Sequence, residues 1–163
     1  MANKLILGES QARSWARFLA GLTGEMIGSR MVYLGLGNIE VMEDGAVFTE
    51  IPIDTADEEN KTTNYARELV MTEENYEGII AVDPENSREI YNAKKIVFNK
   101  VISTTYTANA VAFYRSASGG SPYMFGPLTA VLQTTVGGLP MFNPEQLRFI
   151  IPNGSDLVLP EAV

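Results

Sequence analysis

The chain has 163 residues, 45% of them apolar, and its 20 acidic against 12 basic side chains give a net charge of −8. That length and composition describe one folded domain with a sizeable core, and a field of that sign opposes nucleic acid as a general partner. With no cysteine and no histidine, disulfides, thiolate metal sites, thiol nucleophiles and the commonest general base are excluded.

The opening residues MANKLILGES lack the apolar run and small-residue cleavage site of a secretory signal, and no segment reaches the roughly 18 consecutive apolar residues of a membrane span. The expectation is a protein made and folded in a cytoplasm, with no membrane partner. Ser10 is a fitting N-cap, and Trp15, Leu19, Leu22 and Met26 recur every three to four residues, which predicts one helix with an apolar stripe ending near Gly28. Trp15 lies between Arg13 and Arg17, a combination common at interface anchors, although its place on the stripe equally suits a core position.

Beyond residue 28 the pattern is that of strands. Expected strands are 31–36, 46–51, 65–71, 79–82, 89–91, 96–102, 108–114, 129–135, 147–151 and 157–159, with Asp44-Gly45 a hairpin turn between the first two. Short strands with turn signals every 8–12 residues or so predict a mainly β protein, a β-sandwich, a jelly roll or an open barrel. A single domain, 1–163, would then comprise a helical segment, 1–28, and a β-sandwich, 29–163. Val111 and Phe113 alternate with Ala110, Ala112 and Tyr114, and because both sets are apolar that strand should be covered on two faces.

Chemistry is scarce. Carboxylates are the acid/base groups the composition leaves, but Glu58-Glu59 and Glu73-Glu74 sit among polar neighbours that would keep them solvated and their pKa values ordinary. Asp54, Asp57, Glu58 and Glu59 offer the hard oxygens that calcium prefers without the spacing of an EF-hand loop. Gly35-Leu36-Gly37 is followed by Asn-Ile-Glu, which meets neither phosphate-loop pattern and reads as a tight turn after a strand. No catalytic residue, metal site or cofactor is therefore assigned, and the expectation is a protein that is not an enzyme.

Charge is segregated instead. Glu40 to Asn60 holds eight acids and no base, whereas Ile90 to Pro144 holds Lys94, Lys95, Lys100 and Arg115 and no acid. From Ser116 to Pro144 there is no charge at all, and this segment, with Tyr123 and Phe125, is apolar enough to be a surface covered by another subunit. Two oppositely charged stretches are expected to face across a contact, with Asp57, Glu58 and Glu59 contributing steering more than affinity.

Tyr33-Leu34-Gly35-Leu36, then Asn64-Tyr65-Ala66-Arg67 opening a strand, then Ile96-Val97-Phe98 and Ala110-Val111-Ala112-Phe113 before a Gly-rich turn, resemble a group of small tailed-bacteriophage virion proteins. The resemblance spans roughly 31–151, and the acidic stretch 40–60 departs from it. It implies a β-sandwich subunit of the particle: a capsid decoration or cement protein that forms a homo-oligomer, a trimer favoured, on the major capsid protein, or else a fiber, collar or baseplate component. Location in the virion after synthesis in the bacterial host follows from the same resemblance. A carbohydrate-binding sandwich is the alternative from another class, with Tyr106, Tyr123 and Phe125 as stacking platforms.

Overall fold

A computed structural model describes residues 3–4, 6–7, 32–43, 45–71, 80–82, 85, 89–122 and 124–150. In chain order the strands are β1 (Asn3–Lys4), β2 (Ile6–Leu7), β3 (Val32–Met42), β4 (Gly45–Glu50), β5 (Glu68–Met71) and β6 (Ile80–Val82). They continue as β7 (Glu89–Asn92), β8 (Ile96–Val97), β9 (Thr107–Tyr114), β10 (Met124–Gln133), β11 (Met141–Phe142) and β12 (Arg148–Ile150). The protein is mainly β, and none of the described residues is helical. The predicted helix with Trp15 lies outside the described residues; ahead of its expected Ser10 cap, residues 3–4 and 6–7 pair as strands.

One sheet has the order β2-β10-β9-β3-β4, with β5 also on β3; a second has the order β1-β12-β7-β6; a third is the ribbon β11-β8. All pairings are antiparallel except β1 with β12. The outer edge of β3 is shared: Val32 to Leu34 meet β5, and Gly37 to Met42 meet β4.

Strand β9 carries the core, as its two-sided alternation predicts. Every residue from Ala110 to Tyr114 is buried. Val111 and Phe113 face one cluster with Leu34, Leu36, Tyr65, Phe98 and Phe149, while Ala112 and Tyr114 face a second with Phe125, Tyr33, Ile39 and Phe48. Phe113 meets Phe149 edge-on at 6.1 Å, and Phe98 meets Phe142 the same way at 6.2 Å. Burying rings of this size contributes the largest apolar term available to a chain this short, with specific edge contacts on top.

Three sequence expectations are corrected. Gly35 and Gly37 are not a turn but the middle of β3, because both sites are crowded: a Cβ at Gly35 would lie 2.8 Å from Tyr114 Cε2 and 2.9 Å from Glu50 Oε1, and one at Gly37 would collide with the Phe48 ring and the Thr49 carbonyl. The expected strand 129–135 begins earlier, at Met124, and tolerates Gly126 and Pro127 because the register with β9 slips between Pro127 and Leu132, where the chain bulges. Of 96–102 only Ile96 and Val97 form strand, although Phe98 and Val101 continue to bond Pro140 and Gly138 as an irregular extension.

Candidate functional site

The acidic stretch separates into three places. Glu40 and Glu43 are exposed at the end of the β3–β4 hairpin, whose closing pair is Met42 and Gly45, the latter at φ 136. Glu50, at the other end of β4, turns into the molecule. Asp57, Glu58 and Glu59 are exposed on the loop between β4 and β5, where Glu58 is paired with Lys61 at 2.6 Å.

Glu50 is held by Arg67 in a bidentate pair, Nε to Oε1 and Nη2 to Oε2, both at 2.7 Å. The remaining reach of the guanidinium goes to the backbone: Nη1 donates to Ser116 O at 2.8 Å and Gly119 O at 2.9 Å, and the plane lies 3.3 Å from the centre of the Tyr114 ring. The Tyr65 hydroxyl accepts from Leu36 N at 2.7 Å and donates to Glu50 Oε1 at 3.1 Å. Burial opposes charge on Arg67, but the hydrogen bonds it donates to Glu50 and the attraction between the two charges outweigh it and hold the guanidinium above its ordinary value. Burial, then the Glu50 charge, pushes both the Tyr65 and Tyr114 phenols far above theirs. Sequence reasoning took Tyr65-Ala66-Arg67 as the opening of a strand; β5 instead starts at Glu68, because the Tyr65 and Arg67 side chains serve the cluster before the ladder begins.

A second polar knot closes the acidic loop. Asp54 accepts from Thr62 N at 2.8 Å, Asn64 N at 2.9 Å, Thr63 Oγ1 at 3.3 Å and Ala56 N at 3.3 Å, and its own N–H donates to Tyr65 O. These bonds, Asn64 and Thr62 foremost, hold its carboxyl below the ordinary value. Asp54 is therefore occupied by the chain itself, and among the described residues no group of three or more acids is placed to hold a metal ion. Burial pushes the Glu68 carboxyl up, a feature its sequence neighbours Arg67 and Leu69 do not announce.

The expected contact residues are dispersed. Asp57, Glu58 and Glu59 are exposed as expected, whereas Tyr123 lies outside the described residues. Phe125, expected at a partner contact, is 6% exposed and stacks on Phe48 at 5.7 Å, so its ring belongs to the second core cluster. Tyr106, named as a sugar platform, is also buried, its ring edge-on to Tyr65 at 5.6 Å. A cleft of about 210 Å³ lies between Leu128 and Thr129 on the β10 bulge and Glu145 to Phe149; Glu145 and Arg148 on its wall are 3.6 Å apart.

The described surface also displays large aliphatic side chains. Val41 is 88% exposed on one face of the β3–β4 hairpin and Met42 and Val47 are exposed on the other, and Val97, Ile102, Val131, Val136 and Leu139 are exposed elsewhere. No helix among the described residues is long and apolar enough to cross a membrane. Comparison with protein-family models, with curated proteins and with solved structures finds no match to this chain.

Proposed function

We propose that the protein is a non-enzymatic structural subunit of a bacteriophage particle, a capsid decoration or cement protein that oligomerises and docks on the major capsid protein. The observation that carries this reading is the exposure of large aliphatic side chains, Val41, Met42 and Val47 on the β3–β4 hairpin and Val97, Ile102, Val136 and Leu139 along the β8–β11 ribbon and its extension. Isolated exposed aliphatics need no explanation, but several of them along one hairpin or ribbon mark surfaces that other subunits cover. The buried Glu50–Arg67 cluster supports the same reading, because the chain's own donors and acceptors engage it and it serves packing. A six-stranded sheet with a core cluster on each face is consistent with a β-sandwich of jelly-roll type, and we assign that architecture as part of the proposal.

Particles purified through a density gradient and quantified by mass spectrometry test the assignment. Hundreds of copies per particle are expected for a decoration subunit; single figures to tens would move the protein to a fiber, collar or baseplate, where closed assemblies sit on a unique axis. Recovery in the soluble lysate alone, with none on particles, overturns the virion reading.

A further inference from the structure

We infer that the β3–β4 hairpin of one copy docks on the β8–β11 ribbon of a second copy. This inference rests on the subunit reading above and names its partner surface.

The hairpin is an arm. The backbone ladder of β3 with β9 ends at Gly37, and Asn38 and Ile39 stay tied to β9 through Asn109 and Thr107, yet β3 and β4 run on together beyond them to Met42 and Gly45. On that length Met42 and Val47 are 58% and 49% exposed on one face with Glu40 beside them, Val41 is 88% exposed on the other face, and Glu43 is exposed at the tip. Neither acid forms an ion pair among the described residues.

The ribbon is its counterpart in charge. Met141 pairs with Val97, and the two segments run on side by side through Phe98 N to Pro140 O, Val101 N to Gly138 O and Gly137 N to Val101 O. This register sets Ile102 near Val136 and carries Leu139 towards Val97, four aliphatics that are 39–59% exposed. Lys94 and Lys95 precede β8, Lys100 lies within the extension, and all three are exposed without an ion pair among the described residues.

Both surfaces are open in the single chain, so they do not cover each other within it. Arm on arm would bring Glu40 and Glu43 against their own copies, and ribbon on ribbon would do the same with the lysines. Only arm on ribbon joins apolar surface to apolar surface with opposite charges around it, the arrangement that fixes register and suppresses wrong pairings. The aliphatics supply the burial, and the charged rim supplies orientation and rate.

The test is a charge swap on the full chain, read by sedimentation equilibrium, with circular dichroism confirming that each variant keeps the wild-type strand spectrum. All the substituted residues are exposed, so the fold should be retained. Wild type should self-associate. E40K/E43K and K94E/K95E should each weaken self-association by about tenfold or more, because attractive pairs become repulsive. An equimolar mixture of the two variants should regain it, since each swapped arm then meets a swapped ribbon. M42S/V47S, which alters the aliphatics on one face of the hairpin, should weaken association without being rescued by either charge variant. Wild type that remains monomeric, single variants that assemble as wild type does, or a mixture that fails to recover would each overturn the contact. These results are independent of particle copy number: an oligomer formed this way by a protein absent from particles would leave the contact standing and remove the virion reading.

Discussion

Arg67 grips both carboxylate oxygens of Glu50 at 2.7 Å, and with side chains 2% and 17% exposed the two form a desolvated ion pair at the junction of β4, β5 and the Ser116–Gly120 turn. A pair of this kind is weak evidence for net stability, but removing one partner strands a charge away from water. Glu50→Gln or Arg67→Met should therefore cost about 3–5 kcal/mol. The double variant Glu50→Leu with Arg67→Met should recover much of that loss. Urea denaturation of the three variants checks it; equal losses in single and double variants would mean the pair is not desolvated as described.

The two buried tyrosines should respond oppositely to loss of their hydroxyls. Tyr65 Oη has partners in Leu36 N and Glu50, whereas Tyr106 Oη is buried with no hydrogen-bond partner among the described residues. Tyr65→Phe should destabilise by about 1–3 kcal/mol, and Tyr106→Phe should be neutral or stabilising by up to about 1 kcal/mol. Burial also pushes the Tyr106 phenol up to about 12 from 10.0. Its folded value is raised, so the protein with this neutral phenol buried keeps its full stability below 10 and loses stability as pH rises towards 12. The difference between wild type and Tyr106→Phe, followed by denaturant midpoint from pH 8 upwards, should shift against wild type above pH 10.

Asp54 should give the acid limb. Its carboxyl is depressed below 3.8, first by the Asn64 and Thr62 amides. A depressed folded value means that its contribution is present above 3.8 and lost as pH falls through the lower folded value. Asp54→Ala should be less stable than wild type at pH 6, and the gap should close as the pH drops below 3.8. A gap that stays constant to pH 2 would show that the loop is held by something other than the carboxylate.

Gly37→Ala tests the crowding inside β3. Its Cβ would meet the Phe48 ring and the Thr49 carbonyl, and overpacking of this kind costs roughly 1–3 kcal/mol. Gly45→Ala meets no atom within 4 Å, but its φ of 136 is one that side chains avoid. Both should lower the thermal midpoint. Adding Phe48→Leu should recover part of the loss caused by Gly37→Ala and none of that caused by Gly45→Ala, where no side chain is in the way.

These contrasts also show why some of the fold was legible in the sequence and some was not. The alternation of Val111 and Phe113 with small alanines identifies β9, because a strand buried on both faces must be apolar at every position. The β3–β4 hairpin is equally plain, since its closing glycine lies in the left-handed region. Gly35 and Gly37 misled because glycine signals a turn and a crowded strand with the same letter; only the Tyr114, Glu50 and Phe48 side chains across the ladder distinguish them. Pro127 misled in the same way, since a proline is tolerated in β10 only because the pairing with β9 breaks there. Phe125 was read as a contact for another subunit because nothing local shows that Phe48 covers it. Charge counting, likewise, could not tell the acids at the arm's end from Glu50, whose partner is 17 residues away.

The chain leaves β4 at Glu50 and rejoins the same edge of β3 at Glu68, and Asp54 with Thr62 to Tyr65 ties the excursion shut above that point. Everything from Thr55 to Lys61 therefore lies beyond a knot that the core does not need it to tie. Lengthening a loop whose ends are already fixed adds little closure entropy, roughly 0.6 kcal/mol for each doubling. The segment is thus a natural cassette: a peptide epitope spliced between Asp57 and Glu58 would be carried outward on each copy while β3, β4 and β5 keep their register. If copies array on a shell, the same splice turns one gene insertion into a dense, evenly spaced display.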